Sequence, residues 1–327
     1  MWITVVYVIV GVALVLWGAD RLTEGAASLA RGMRVPEIVI GLTIVAAGTS
    51  APEMFVSLVS ALKGTSDLAV GNVLGSNIFN TMLIVGCSAV VAPMAVAPST
   101  VKKDIPFAVA ASFLLFMLCF DDMDSTHLWG NEISRSDGLI LLVGFIIFMF
   151  YTFKSAKQQG LLPTEEERED LKEMPKDYTH LWRNIAFIVL GLVCLIVGSD
   201  LFVGGATDIA YLYEVRQSVV GLTIVAGGTS LPELATSVVA AYKGRSALAI
   251  GNVLGSNVFN ILLILGTTAV INPLRIMGIT IIALMMMLVS IGIVWLFAFT
   301  KYSVSRKEGA LLVLGFIAYM GWLLYLL

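Results

Sequence analysis

Two stretches of this chain, 180 residues apart, carry nearly the same sequence. Residues 36–80 contain GLTIVAAGTSAPE (Gly41 to Glu53) and GNVLGSNIFN (Gly71 to Asn80), and residues 216–260 contain GLTIVAGGTSLPE (Gly221 to Glu233) and GNVLGSNVFN (Gly251 to Asn260). The offset holds without a gap, and 29 of the 45 aligned positions are identical. Any fold for this chain has to accommodate two copies of one unit. The identical residues include a carboxylate, hydroxyls and amides set inside long apolar runs, where packing alone requires none of them.

Those runs decide the solvent. Of the 327 residues 58% are hydrophobic and 13% charged, with a mean hydropathy of +0.92, against about 25% charged in soluble domains. The runs are continuous and lack the alternation of a lipid-facing strand, so the chain reads as an all-α polytopic membrane protein. At about 20 residues per span, helices are expected near 2–20, 37–62, 67–91, 104–120 and 137–155, then near 184–202, 217–242, 247–271, 275–299 and 308–326. That is ten transmembrane helices in two repeats: a first five-helix repeat over 1–155, a polar cytoplasmic linker over 156–183 and a second five-helix repeat over 184–327. The shortest run, 104–120, has to hold Pro106 in its first turn. Trp2 to Ala19 has no basic residues before it and no small-residue cleavage site after it, and reads as a first span rather than a signal peptide.

Charge sorting orients the helices. With the amino terminus outside, sixteen of the twenty Lys and Arg residues fall in inner connections; only Lys63, Arg135, Arg216 and Arg275 fall outside. This bias predicts a multi-pass protein of the cell inner (plasma) membrane with both termini outside. Because five is odd, the second copy enters the membrane from the opposite side, which makes the repeat an inverted one about an axis in the membrane plane.

Other site chemistries find little support. Cys87, Cys119 and Cys194 all lie in apolar runs, an arrangement that argues against a disulfide framework. The outer stretch DDMDSTHLWGNE (Asp121 to Glu132) has no register placing Gly at position 6 of a calcium loop with acids at 1, 3 and 12. His127 and His180, the only histidines, have no second His or Cys at metal-ligand spacing. Asp20 and Asp200 correspond across the repeat but lie near span ends, where water is close, and read as structural. Neither a resident cofactor, nor nucleic acid, nor an obligate protein partner is implied.

The repeated motif carries the chemistry. In each copy GTSAP or GTSLP interrupts a helix just before the Glu. Proline lacks an N–H, so the carbonyl four residues back, at Gly48 or Gly228, loses its partner. Free carbonyls at membrane depth are tolerated only against protein or a wet cavity, and they are good ligands for hard cations. Helical spacing puts Thr49, Ser50 and Glu53 on one face, and Thr229, Ser230 and Glu233 likewise. The next helix offers Asn72, Ser76 and Asn80 at intervals of four, matched by Asn252, Ser256 and Asn260, with Gly71 and Gly75 allowing close helix approach. Together the copies give two carboxylates ringed by hydroxyl, amide and carbonyl oxygens. An ionisable group near mid-depth costs about 3 kcal/mol on insertion scales, so a functional role is the default for Glu53 and Glu233. An all-oxygen site of charge about −2 suits Ca²⁺ or several Na⁺ better than softer metals.

At these residues the chain resembles the sodium/calcium exchanger family of the calcium/cation antiporter superfamily: GTSAPE with GSNIFN, and GTSLPE with GSNVFN, are similar to its two alpha repeats. The resemblance implies a ten-helix secondary antiporter in which helices 2, 3, 7 and 8 form a central site while helices 1 and 6 slide to alternate access. It implies that Glu53 and Glu233 bind Ca²⁺ with Thr49 and Thr229, that Ser50, Ser76, Ser230 and Ser256 help to bind Na⁺, and that Asn80 and Asn260 complete the middle of the site. Two positions depart from the family pattern. Position 51 is Ala where many relatives have Leu, a packing change. Position 260 is Asn where some relatives, including the potassium-dependent branch, have Asp. The site then has no third acid, and no potassium requirement is expected.

A proton-coupled calcium/cation antiporter is the alternative; that branch usually places its acid in a GNxxE pattern, whereas here the Glu follows GTSxP. A channel fits inverted repeats with broken helices less well than alternating access does. An intramembrane enzyme fits less well still: no Ser–His or Cys–His pair lies within the spans, and two Glu without a metal-binding His pair suit cation binding better than hydrolysis.

Overall fold

The computed structural model describes residues 2–33, 35–119, 131–158, 178–213, 226–276 and 279–325. In chain order the helices are α1 (Trp2–Gly32), α2 (Glu37–Thr49), α3 (Ala51–Leu62), α4 (Ser66–Val91), α5 (Ile105–Leu118), α6 (Arg135–Gln158), α7 (Tyr178–Leu212), α8 (Ala226–Thr229), α9 (Leu231–Tyr242), α10 (Ser246–Ile271), α11 (Ile281–Lys301) and α12 (Arg306–Tyr325). Four short strands, β1 (Met94–Ala95), β2 (Asn131–Ile133), β3 (Leu274–Ile276) and β4 (Ser303–Val304), tie connections together. Seven described helices are long and apolar enough to cross a membrane, and an eighth span forms if α2 and α3, bent by 47° at Ser50, count as one.

Helices α1 and α7 form a long antiparallel pair. An added Cβ at Gly11 would come within 2.7 Å of the Gly198 carbonyl oxygen, and one at Gly18 within 2.7 Å of that of Gly191. Glycine at intervals of seven is therefore what lets the two backbones touch, in the manner of small-residue seams in lipid. Helix α1 runs well past the end expected near residue 20. Along that extension Leu22, Thr23, Ala26, Ala27 and Ala30 are fully buried, while Asp20 and Glu24 pair with Arg21 and Lys243 on the other face. Charges that find partners need not end a helix.

The centre is built from α4 and α10, the most deeply buried of the long described helices, whereas α12 is largely exposed. Glycine again sets the distance: an added Cβ at Gly41 would lie 2.8 Å from the Leu248 carbonyl oxygen, and one at Gly251 lies 2.7 Å from that of Ile38. The tight seam thus falls at Gly251 and Gly255 of the second copy. The close approach expected at Gly71 and Gly75 would, by the same relation, be to residues 218–222, which lie outside the described residues. The segment matching Gly41–Val45 in the second copy lies outside the described residues.

Pro106 sits in the first turn of α5, as its run requires. The helix expected from residue 275 begins instead at Ile281, because Leu274–Ile276 pairs antiparallel with Asn131–Ile133. Helices α6 and α7 extend into both ends of the expected linker, and His180 is helical. Residues 159–177, with the TEEEREDLKE run, and residues 120–130, with His127, lie outside the described residues. Strand β1 pairs with β4, β2 with β3, and Arg245 with Glu37. Each of these contacts joins connections that charge sorting assigns to the same side.

Candidate functional site

The site is made at the two helix breaks. Ser50, with φ −81° and ψ 8°, ends α2 and precedes α3, whose first turn holds Pro52 and then Glu53. Ser230, with φ −91° and ψ 9°, does the same before Pro232 and Glu233 in α9. Proline is tolerated in a first turn and cannot extend the preceding helix, so the chain turns here and delivers each carboxylate at a helix amino terminus, where the backbone dipole favours negative charge. Glu53 and Glu233 are 0% and 1% exposed.

The break also changes which hydroxyl serves which acid. Helical spacing assigns Thr49 and Ser50 to the face of Glu53, but the bend sends them across to the other copy. Ser50 Oγ donates to Glu233 Oε1 at 3.0 Å, and Ser230 Oγ donates to Glu53 Oε1 at 3.1 Å. Thr229 stands beside Glu53, and Thr49 beside Glu233. The Ser76 hydroxyl is 3.2 Å from that of Ser230. Each carboxylate is held by the hydroxyls of the opposite half.

Amides from α4 and α10 clamp these breaks from behind. Asn72 Nδ2 donates to the Glu53 carbonyl at 3.3 Å and to Ser57 Oγ at 3.1 Å; Asn252 Nδ2 donates to the Glu233 carbonyl at 3.4 Å and to Ser237 Oγ at 2.9 Å. Facing the other way, Asn252 Oδ1 lies 3.1 Å from the Thr49 hydroxyl. A second amide layer crosses between copies: Asn80 Nδ2 donates to Asn257 Oδ1 at 3.0 Å and Asn260 Nδ2 to Asn77 Oδ1 at 3.1 Å. Both Asn80 and Asn260 lie in π-helical turns, Phe79–Ile84 and Phe259–Leu265, a local geometry that recurs at functional sites.

The ten candidate residues therefore lie on α2, α3, α4, α8, α9 and α10, with Ser50 and Ser230 at the two breaks. Asn77 and Asn257 are additions: adjacent to the Ser of each GSN triplet, they fall off the stripe of every fourth residue, and only their identity in both copies marked them.

What remains unsatisfied defines the chemistry. Five buried oxygens, Glu53 Oε2, Glu233 Oε2, Asn80 Oδ1, Asn260 Oδ1 and Ser256 Oγ, have no hydrogen-bond partner. Buried polar atoms without partners are rare in native proteins and call for an ion or water. Among the described residues the ion pairs all lie elsewhere, so no Lys, Arg or His neutralises either Glu. Nor do the described residues hold a group of three or more His, Cys, Asp and Glu placed to bind a metal ion by those side chains alone. The arrangement can coordinate a hard cation through oxygen.

A family model described as Sodium/calcium exchanger protein matches residues 3–154 and 183–325. The Inner membrane protein YrbG of Escherichia coli (strain K12) is 36% identical over 333 residues, covering 100% of this chain and 98% of its own. Sodium/calcium exchanger MaX1 of Methanosarcina acetivorans is 30% identical over 341 residues, 97% of each chain. A solved structure of the sodium-calcium exchanger NCX_Mj, soaked with Na⁺ and Ca²⁺, is similar at a TM-score of 0.82 and 28% identity, covering 98% of both chains.

Proposed function

Because the chain belongs to the sodium/calcium exchanger protein family, and is thereby a multi-pass cation antiporter of the membrane, we propose that it exchanges Ca²⁺ for Na⁺ at the site of Glu53 and Glu233. The observation that carries this reading is the pair of buried carboxylates, each with one oxygen held by a serine of the other half and one left without a partner. A divalent cation between them balances both charges. Without it, burying two uncompensated carboxylates is costly.

On this reading Thr49 and Thr229 complete the calcium ligands, Ser50, Ser76, Ser230 and Ser256 take part in sodium binding, and Asn80 and Asn260 supply neutral oxygens between the acids. The ten spans form two inverted five-helix units, 1–155 and 184–327, joined by a cytoplasmic linker, with both termini outside. The reciprocal contacts between the copies support the two-fold relation, and the connections joined by β1–β4 and β2–β3 support the sidedness.

The test is calcium uptake into proteoliposomes under a sodium gradient compared with a pH gradient of equal size. Uptake driven by sodium is expected; uptake driven only by pH would make the protein a proton-coupled antiporter. With Asn at 260 the site has two carboxylates and no third acid, so exchange is expected to proceed without potassium, and an absolute potassium requirement would contradict the role given to Asn260.

A further inference from the structure

We propose that Asn77 and Asn257 are positioning residues that fix the amides of Asn260 and Asn80 with oxygen toward the ions and nitrogen away, a role that rests on the exchange of Ca²⁺ for Na⁺ at this site. An amide side chain has two nearly isosteric ends, one of which donates and would repel a cation. For Asn80 or Asn260 to serve as a ligand, something has to decide which end faces inward.

The geometry makes that decision. Asn77 Nδ2 donates to the Asn257 main-chain carbonyl at 3.3 Å. A carbonyl can only accept, so the nitrogen of Asn77 must be at that end and its Oδ1 at the other. Asn77 Oδ1 can then only accept, and the group that reaches it at 3.1 Å must be Asn260 Nδ2. This leaves Asn260 Oδ1, in a residue 0% exposed, without a partner. The chain of donors and acceptors runs one way, from a main-chain carbonyl to an orphaned oxygen. In the other half Asn80 Nδ2 reaches Asn257 Oδ1 at 3.0 Å, and Asn80 Oδ1 is again buried without a partner. Asn77 and Asn257 are 1% and 3% exposed, so water is not available to take their place. Each acts across the interface between the copies: Asn77 of the first governs Asn260 of the second, and Asn257 governs Asn80.

This wiring gives a test that ordinary interhelical packing would not pass. Replacing Asn77 with the near-isosteric leucine removes the acceptor and frees the Asn260 amide to turn its nitrogen inward. Asn77→Leu is therefore expected to raise the KM for Ca²⁺ about tenfold, the loss of roughly one charge-assisted contact. A carboxylate has oxygen at both ends and needs no orientation. Adding Asn260→Asp to Asn77→Leu should then return the KM to that of Asn260→Asp alone, whereas adding Asn80→Asp should not. The mirrored set, Asn257→Leu with Asn80→Asp as the rescue and Asn260→Asp as the control, is a second version of the test should the first variant fail to fold.

The measurement is sodium-driven calcium flux in proteoliposomes, with calcium titration of the purified protein as an independent readout of affinity. An unchanged KM in both leucine variants would overturn the proposal, as would equal rescue by either aspartate or rescue by neither, while leaving the exchange reading intact. Absence of sodium-driven flux in the unmodified protein would instead remove the exchange reading on which the proposal rests.

Discussion

Ser50 Oγ lies 3.0 Å from Glu233 Oε1, although 183 residues separate them in the chain. Its counterpart, Ser230 to Glu53, spans 177 residues at 3.1 Å. Each carboxylate takes its serine from the other half of the chain. A rearrangement that shifted one half against the other would loosen both carboxylates together, which is what a carrier needs if its site is to release ions as a unit rather than one ligand at a time.

The acids themselves give the first prediction. Glu53→Gln or Glu233→Gln removes one of two buried charges while keeping the volume and one acceptor, so the protein should remain folded in the membrane. Removing one partner of a buried charge interaction costs about 2–5 kcal/mol, and calcium exchange should fall below detection. Normal calcium flux in either variant would show that these acids are not the site.

The crossed hydroxyls give the second. Ser50→Ala and Ser230→Ala each delete one hydrogen bond to a carboxylate, a contact of about 1.5–3 kcal/mol. Each should weaken apparent ion affinity about tenfold, by similar amounts, since the two serines stand in equivalent places. Read as melting temperature in detergent, which all the variants give, Ser50→Ala should also be strongly non-additive with Glu233→Gln and nearly additive with Glu53→Gln. The reverse pattern would mean that each serine serves the acid of its own copy.

The third prediction concerns the seam between α1 and α7. A Cβ at Gly18 would lie 2.7 Å from the Gly191 carbonyl oxygen, whereas one at Gly204 meets no described atom within 4 Å. Gly18→Val should overpack the seam and cost about 1–3 kcal/mol, and Gly204→Ala should be close to neutral. Thermal unfolding in detergent distinguishes them; equal melting temperatures would mean that the helix pair does not depend on this contact.

How much of this was legible in the sequence depended on whether a residue acted within its own helix. The repeat delivered Glu53, Glu233 and their oxygen-bearing neighbours, since packing in an apolar run does not call for the same polar residues in both copies. It misgrouped Thr49 and Ser50, because helical spacing ignores the bend that Pro52 imposes. Asn77 and Asn257 went unread for a similar reason: their partners are in the other copy, and nothing local marks such a pairing. Glycines 11, 18, 191 and 198 are ordinary in membrane helices taken singly, and their interval of seven acquires meaning only once α1 and α7 are side by side. The helix start expected at 275 missed because an apolar run does not reveal that Leu274–Ile276 finds a strand partner in Asn131–Ile133.

The last prediction tests the inverted arrangement on two residues that correspond across the repeat. Leu62 and Tyr242 end α3 and α9 and are 62% and 78% exposed. Each precedes a lysine and a glycine of positive φ, Gly64 at 78° and Gly244 at 73°, so the two turns have the same local form. If five spans separate them, they lie on opposite sides of the membrane, with Leu62 outside and Tyr242 inside. The charge environment agrees: Lys243, next to Tyr242, pairs with Asp20 and Glu24 in the inner half of α1, whereas the Asn272 side chain, from an outer connection, bonds the Ala61 carbonyl beside Leu62. In a background with Cys87, Cys119 and Cys194 replaced, Leu62→Cys should react with a membrane-impermeant thiol reagent from outside intact cells, and Tyr242→Cys only after the cytoplasmic face is opened. Labelling of both from one side would rule out an odd number of spans between the copies, and with it the inverted repeat. Labelling of each from the face opposite to that expected would leave the repeat inverted and reverse the sidedness drawn from the lysines and arginines.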